Sequence, residues 1–289
     1  MASPASVLLV TPAPPLPALF AKATASGGVT VLEAASFDAG LQALRDTSLD
    51  LVVLDSTGAA VTGGQVRALR DARAGVKVIV LSGDPAPEEL LAAIRAHAFA
   101  YFRRPFDPAE VKAAVARALD APDWEDGIEL VSARPEWISL RLRCRRSTAD
   151  RVLGFLAELR VDLPAEDRDG MATAVREILL NAIEHGGGLD PKKRVQVSRL
   201  RTERLIVYHV QDPGRGFSFE ALPHAAVSNP PDDPTAHMRH REELGLRAGG
   251  FGILVTHSLV DELIYSESGN EAILIKYLDA PAAAGGSKS

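Results

Sequence analysis

Over the first 120 residues, short apolar runs alternate with amphipathic stretches. The runs at Val7–Val10, Thr30–Leu32, Leu51–Leu54, Val76–Leu81 and Ala100–Phe102 predict strands, being short and rich in β-branched residues. Helical periodicity lies between and after them, at about Phe37–Arg45, Gly64–Arg73, Glu88–Ala96 and Ala109–Leu119. Strand–helix alternation of this kind predicts a parallel sheet with helices on both faces. A stretch at 121–135 reads as a linker, and the pattern then changes. LIVYHV, residues 205–210, predicts a strand. LVTHSLVDEL, residues 254–263, predicts an amphipathic helix through Ile253, Leu254, Leu259, Val260 and Leu263. The tail from 280 to 289 is built of small residues and reads as flexible.

Three segments of the second half carry chemistry. In REILLNAIEHG, Glu177 and Asn181 are four residues apart, so a helix stacks them on one face, and His185 continues the row. A carboxylate there can take a proton, and a carboxamide oxygen can ligate a hard cation such as Mg²⁺ beside phosphates. In VQDPGRGF, Asp212 stands at the end of a strand, with Gly214 and Gly216 two and four residues on. This is a sharp turn holding an acceptor that can take a hydrogen bond from an exocyclic amine. GLRAGGFGI, residues 245–253, runs into a helical pattern. Glycines at a helix N-terminus expose backbone N–H groups to an anion.

In this order and spacing the three segments resemble the N, G1 and G2 boxes of the GHKL ATPases, and most closely the anti-sigma factor serine kinases. The resemblance covers roughly Glu136–Asp279, including an opening strand WISLRLRC, a helix at about Thr148–Leu159 and a closing strand at 269–278. It implies an α/β sandwich of the Bergerat type, with ATP·Mg²⁺ held between a lid and a mixed sheet. It further implies that Glu177 is the general base, Asn181 the Mg²⁺ ligand, with His185 beside it in the nucleotide site, and Asp212 the adenine reader. Gly214 and Gly216 would shape the nucleotide loop, and Gly249, Gly250, Phe251 and Gly252 the phosphate loop. Phe217–Ala248, with its run NPPDDP, falls where these enzymes carry the ATP lid. Arg247 is the best candidate there for a phosphate contact, ahead of Arg239 and Arg241. No phosphoacceptor-histidine hairpin is legible before the ATPase segment and no transducer domain after it, which sets the chain apart from histidine kinases and gyrase-like enzymes.

The first half, five strands and five helices in about 120 residues, resembles a flavodoxin-like response-regulator receiver domain. Asp55 stands at the phosphoacceptor position, Ser82 at the switch hydroxyl and Arg104-Pro105-Phe106 in place of Lys-Pro-Phe. The departures decide the reading. A receiver needs an acidic pair after its first strand to hold Mg²⁺, and here Thr11 and Pro12 take those places. Arg104 keeps the charge of the lysine but not its point geometry. Without carboxylates nearby, phosphoryl transfer to Asp55 loses its charge neutralisation. Asp55 therefore reads as a relic and a doubtful phosphoacceptor, and residues 1–120 as a pseudo-receiver that binds partners or mediates self-association.

Composition fits a cytoplasmic regulator. The 289 residues suit two domains, 1–120 and 136–279, each able to bury a core. A net charge of −6 with no basic stripe argues against nucleic-acid binding. The single cysteine, Cys144, suits a reducing compartment, and neither a signal peptide nor a membrane-spanning run is legible. The resemblance implies a serine or threonine kinase acting on a STAS-type anti-sigma antagonist, with a sigma factor as competing partner and a homodimer as the assembly. Two other readings stay open: a module that binds nucleotide and sequesters a partner without phosphorylating it, and a plain ATPase.

Overall fold

The computed structural model describes residues 5–12, 29–56, 62–83, 87–121, 127–159, 163–216 and 252–278. The chain divides into two compact units, one of residues 1–126 and 154–160, the other of residues 127–153 and 161–289.

In the first unit five strands, β1 (Ala5–Val10), β2 (Val29–Ala34), β3 (Leu51–Asp55), β4 (Lys77–Ser82) and β5 (Ala100–Arg103), pair in the order β2-β1-β3-β4-β5, all parallel. Four helices are described: α1 (Phe37–Asp46), α2 (Gly63–Ala72), α3 (Pro87–Arg95) and α4 (Pro108–Asp120). The fifth expected helix would fall between β1 and β2, at 13–28, outside the described residues. This is the doubly wound α/β fold read from the alternating pattern. One sheet face, Val7, Leu9, Leu51, Val53, Ile79 and Leu81, packs with Val111, Ala114, Val115 and Ala118 of α4. The alternate residues Leu8, Val52, Val78 and Val80 are equally buried, as a sheet covered on both sides requires. Helix starts carry their own signals. Ser36 Oγ accepts from the Ala39 N–H, Thr62 and Gln65 form a capping box, and Asp107 caps α4 ahead of Pro108.

The second unit is a six-stranded sheet with helices packed on one face. Strands β6 (Ile128–Ala133), β7 (Trp137–Arg143), β8 (Arg194–Arg201), β9 (Leu205–Gln211), β10 (Glu262–Tyr265) and β11 (Glu271–Tyr277) lie in the order β10-β11-β9-β8-β7-β6. Helix α5 (Arg146–Ala157), through its residues 146–153, and helices α6 (Ala165–Asn181) and α7 (Gly252–Leu259) complete it. Ile138, Leu140, Val195, Val197, Ile206, Val210, Ala272 and Leu274 form the buried sheet face, and Val152, Ala174, Ile178 and Leu179 the helical side of the core.

Several expectations are corrected. The sheet is not mixed, since every strand pairing in it is antiparallel. The stretch expected as a linker contains β6, paired along β7. Strand β8 was not foreseen. The amphipathic helix read through Leu263 stops at Leu259, and residues 262–265 become β10. Asp261 explains the stop: its Oδ2 accepts the Tyr277 N–H at 2.6 Å and its Oδ1 the Lys276 Nζ at 3.2 Å, drawing the following residues alongside β11. Among the described residues no helix is long and apolar enough to cross a membrane.

Candidate active site

Helix α6 buries Met171, Ala174, Val175, Ile178 and Leu179, which leaves Glu177 and Asn181 half-buried on its rim. Helix α7 packs beside it. At the start of α7, a Cβ built on Gly252 would stand 3.0 Å from Glu177 Oε2 and 3.8 Å from Asn181 Nδ2. The fold thus brings the end of the glycine-rich segment onto the two polar side chains, about 70 residues away in sequence. Of the other residues expected in that segment, Arg247, Gly249, Gly250 and Phe251 lie outside the described residues, as does all of the stretch expected as a lid, with Arg239 and Arg241.

Past Asn181 the helix widens into a π turn, Ala182–Gly186, closed by the Gly187 N–H on the Ala182 carbonyl at 2.8 Å. The α-helical i, i+4 row therefore ends at Asn181, and His185 sits exposed in the wider turn. The turn brings Gly186 against Asp212. A Cβ on Gly186 would lie 2.2 Å from both Cγ and Oδ1 of Asp212. Gly187 is equally confined, with Cys144 Sγ 2.3 Å from where its Cβ would be. Burial pushes the Cys144 thiol above its ordinary range.

Asp212 follows β9, and its backbone N–H donates to the Asn270 carbonyl at 2.9 Å. The Gly214 N–H donates to Oδ1 at 2.7 Å, a tight Asx turn. Among the described residues nothing donates to Oδ2, which leaves one carboxylate oxygen to accept an outside donor. Burial raises the Asp212 carboxyl above the usual carboxylate range, and the Gly214 N–H opposes this. Gly216 has φ +73, and a Cβ there would meet the Ser268 carbonyl at 1.7 Å, so only glycine fits. Glu177, Asn181 and Gly252 thus form one group, and Gly186, Asp212 and Gly214 another, joined by the end of α6. Sequence reasoning gave Gly186, Glu184 and Asn270 no role. The glycine triplet at 186–188 was the one available signal.

In the first unit Asp55 is 4% exposed at the end of β3. Thr11 Oγ1 donates to its Oδ2 at 3.0 Å, and Arg104 Nη2 pairs with its Oδ1 at 2.9 Å. Arg104 also lies over the Phe106 ring, 4.9 Å from its centroid. Both carboxylate oxygens are engaged, one of them by a cation. Among the described residues no group of three or more His, Cys, Asp or Glu stands ready for a metal. Neighbours such as these do not fit Mg²⁺, which wants several hard oxygen ligands.

Residues 142–276 match the family model of the histidine kinase-like ATPase domain. The match begins in β7 and ends in β11, and it contains Glu177, Asn181, Asp212 and Gly252. A domain of this family implies ATP binding, typically with Mg²⁺. The groups around Gly252 and Asp212 fit such a ligand: a carboxylate and a carboxamide of α6 beside the start of α7, an open carboxylate oxygen, and backbone that a Cβ would obstruct. No curated protein matches the chain. The fold is similar to that of a CheY-like receiver domain protein from Methanospirillum hungatei JF-1, at 21% identity and TM-score 0.37, covering 41% of this chain and 95% of that one. It is also similar to a response regulator from Thermotoga maritima (22% identity, TM-score 0.36, 40% and 98% covered) and a receiver domain from Clostridium thermocellum (22%, 0.36, 40% and 94%).

Proposed function

We propose that the chain is a cytoplasmic signalling regulator whose ATPase domain is a serine/threonine protein kinase of the anti-sigma factor type. Its substrate would be a STAS-type antagonist, with a sigma factor competing for the same chain. The observation that carries this reading is the placement of Glu177 Oε2 beside Gly252, next to Asn181. A carboxylate beside a phosphate-facing loop is where a base is needed to deprotonate an attacking hydroxyl.

Bound ATP would supply the γ-phosphoryl group, with Mg²⁺ neutralising the phosphates. Asn181 would hold the cation, and the Asp212 oxygen left open would accept from the adenine amine. Gly252 and the start of α7 would present backbone N–H groups to the phosphates. Glu177 would take the proton of the substrate hydroxyl, whose oxygen would attack the γ-phosphorus with ADP as the leaving group. The receiver-like unit would act as a regulatory module that does not depend on phosphorylation of Asp55, because Arg104 already neutralises that carboxylate. Self-association as a homodimer belongs to the same reading.

Incubation with radiolabelled ATP and candidate partners, followed by mass spectrometry of the phosphosite, tests it. Label on a partner serine or threonine, lost in Glu177→Gln, is the expected result. Phosphate released to water whatever the partner would make the chain a plain ATPase. Partner binding without label would make it a sequestering module.

A further inference from the structure

Two groups at the junction of β7 and α5 hold the π turn between Asn181 and Gly187 from outside α6. Cys144 Sγ lies under Gly187, and Arg146, the first residue of α5, pairs through Nε with Glu184 Oε1 at 2.7 Å. Glu184 is the acidic side chain of the turn, and two residues later Gly186 presses on the Asp212 carboxylate. A turn closed by i to i+5 bonds is wider than an α turn and has poorer intrinsic stability, so its shape depends on what anchors it. From this geometry we propose that Glu184, anchored by Arg146, is a positioning residue for Asp212: the pair fixes the π turn, and the turn sets the carboxylate at the angle at which it reads the exocyclic amine of the base. The proposal rests on the reading of Asp212 as the adenine acceptor.

The structure also supplies a control. Asp150 and Arg176 bridge the same two helices at 3.2 Å, but on the α-helical part of α6 and away from the π turn. If helix pairing alone mattered, losing either bridge would have the same effect. If the turn is what positions Asp212, only the Arg146–Glu184 bridge should influence base recognition.

The test is calorimetric titration of the full chain with ATP and with purine riboside triphosphate, which lacks the exocyclic amine. Glu184→Gln and Arg146→Met should each weaken ATP roughly three- to fivefold, the upper range for a partly exposed ion pair, and leave binding of purine riboside triphosphate unchanged. The reversed pair, Glu184→Arg with Arg146→Glu, should restore ATP affinity. Asp150→Asn should change neither nucleotide. In an Asp212→Asn background, Glu184→Gln should have no further effect. Thermal unfolding of each variant shows that it is folded. Glu184→Gln keeping the parental preference for ATP, or weakening both nucleotides alike, would overturn the proposal. A parent chain that itself binds ATP no better than purine riboside triphosphate would remove the reading of Asp212, and the proposal with it.

Discussion

Replacing Arg104 with alanine should destabilise the receiver-like unit, and removing Asp55 as well should restore it. The Asp55 side chain is 1% exposed and that of Arg104 33%. Removing one partner of a fully buried pair costs about 3–5 kcal/mol, because the other charge stays buried without compensation. Two features reduce that here. The Arg104 side chain is one-third exposed, so solvent partly screens the pair, and Thr11 continues to donate to the other oxygen at 3.0 Å. The expected cost of Arg104→Ala is therefore about 2 kcal/mol, part of it from the lost contact with Phe106. For a unit of this size that shifts the unfolding midpoint by about 5–10 °C. The double variant Asp55→Ala with Arg104→Ala removes the buried carboxylate along with its cation and should lie within about 1 kcal/mol of the parent. Arg104→Lys should recover only part of the loss, since an ammonium does not reproduce the guanidinium's fork or its stacking on Phe106. Differential scanning calorimetry of the full chain, following the transition these substitutions move, gives the four values. A double variant as unstable as Arg104→Ala would refute the reasoning, because the cost would then lie in lost packing and not in a carboxylate deprived of its cation.

Asp212→Asn should abolish tight ATP binding yet raise the stability of the nucleotide-free chain. Burial raises the Asp212 carboxyl above its ordinary range, so the folded state holds the proton more tightly than the unfolded chain. Stability is then lost as pH climbs from about 3.9, the unfolded value, towards the raised folded one. The gain from asparagine should be present at pH 7 and shrink in acid; equal midpoints for both proteins at pH 7 would contradict it. Glu177→Gln should bind ATP while transfer falls by roughly 10²–10⁴-fold, whereas Asn181→Ala should lose Mg²⁺-dependent affinity itself. Binding and single-turnover measurements separate the two, and parental transfer rates in Glu177→Gln would exclude it as the base. Acetyl phosphate with Mg²⁺ should leave Asp55 unmodified, and an aspartyl phosphate seen by intact mass, absent in Asp55→Ala, would show that Arg104 gives way to a metal.

The sequence by itself determined the elements whose signal is local. Buried strands such as LVVLD and VIVLS read as short apolar runs because both faces of a doubly wound sheet are covered. Glu177 and Asn181 were legible as a pair because helical spacing alone places them on one rim. Thr11 and Pro12 read as the loss of an acidic pair only through the resemblance to receiver domains, which supplies the expectation of carboxylates there. Only the tertiary structure decided what depends on a partner distant in the chain. Strand β8 was hidden because RVQVSRLR places Arg199, 2% exposed, in the row of Val195 and Val197, breaking the apolar alternation. Strand β10 was hidden inside a helical pattern that ends where Asp261 bonds to residues of β11. Periodicity reports which side of an element is buried and not what it is buried against. Hence the guanidinium on Asp55, 49 residues apart, and the contact of Gly186 with Asp212 came from the fold. The second of these also needed a π turn, whose extra residue per turn leaves no mark in the sequence pattern.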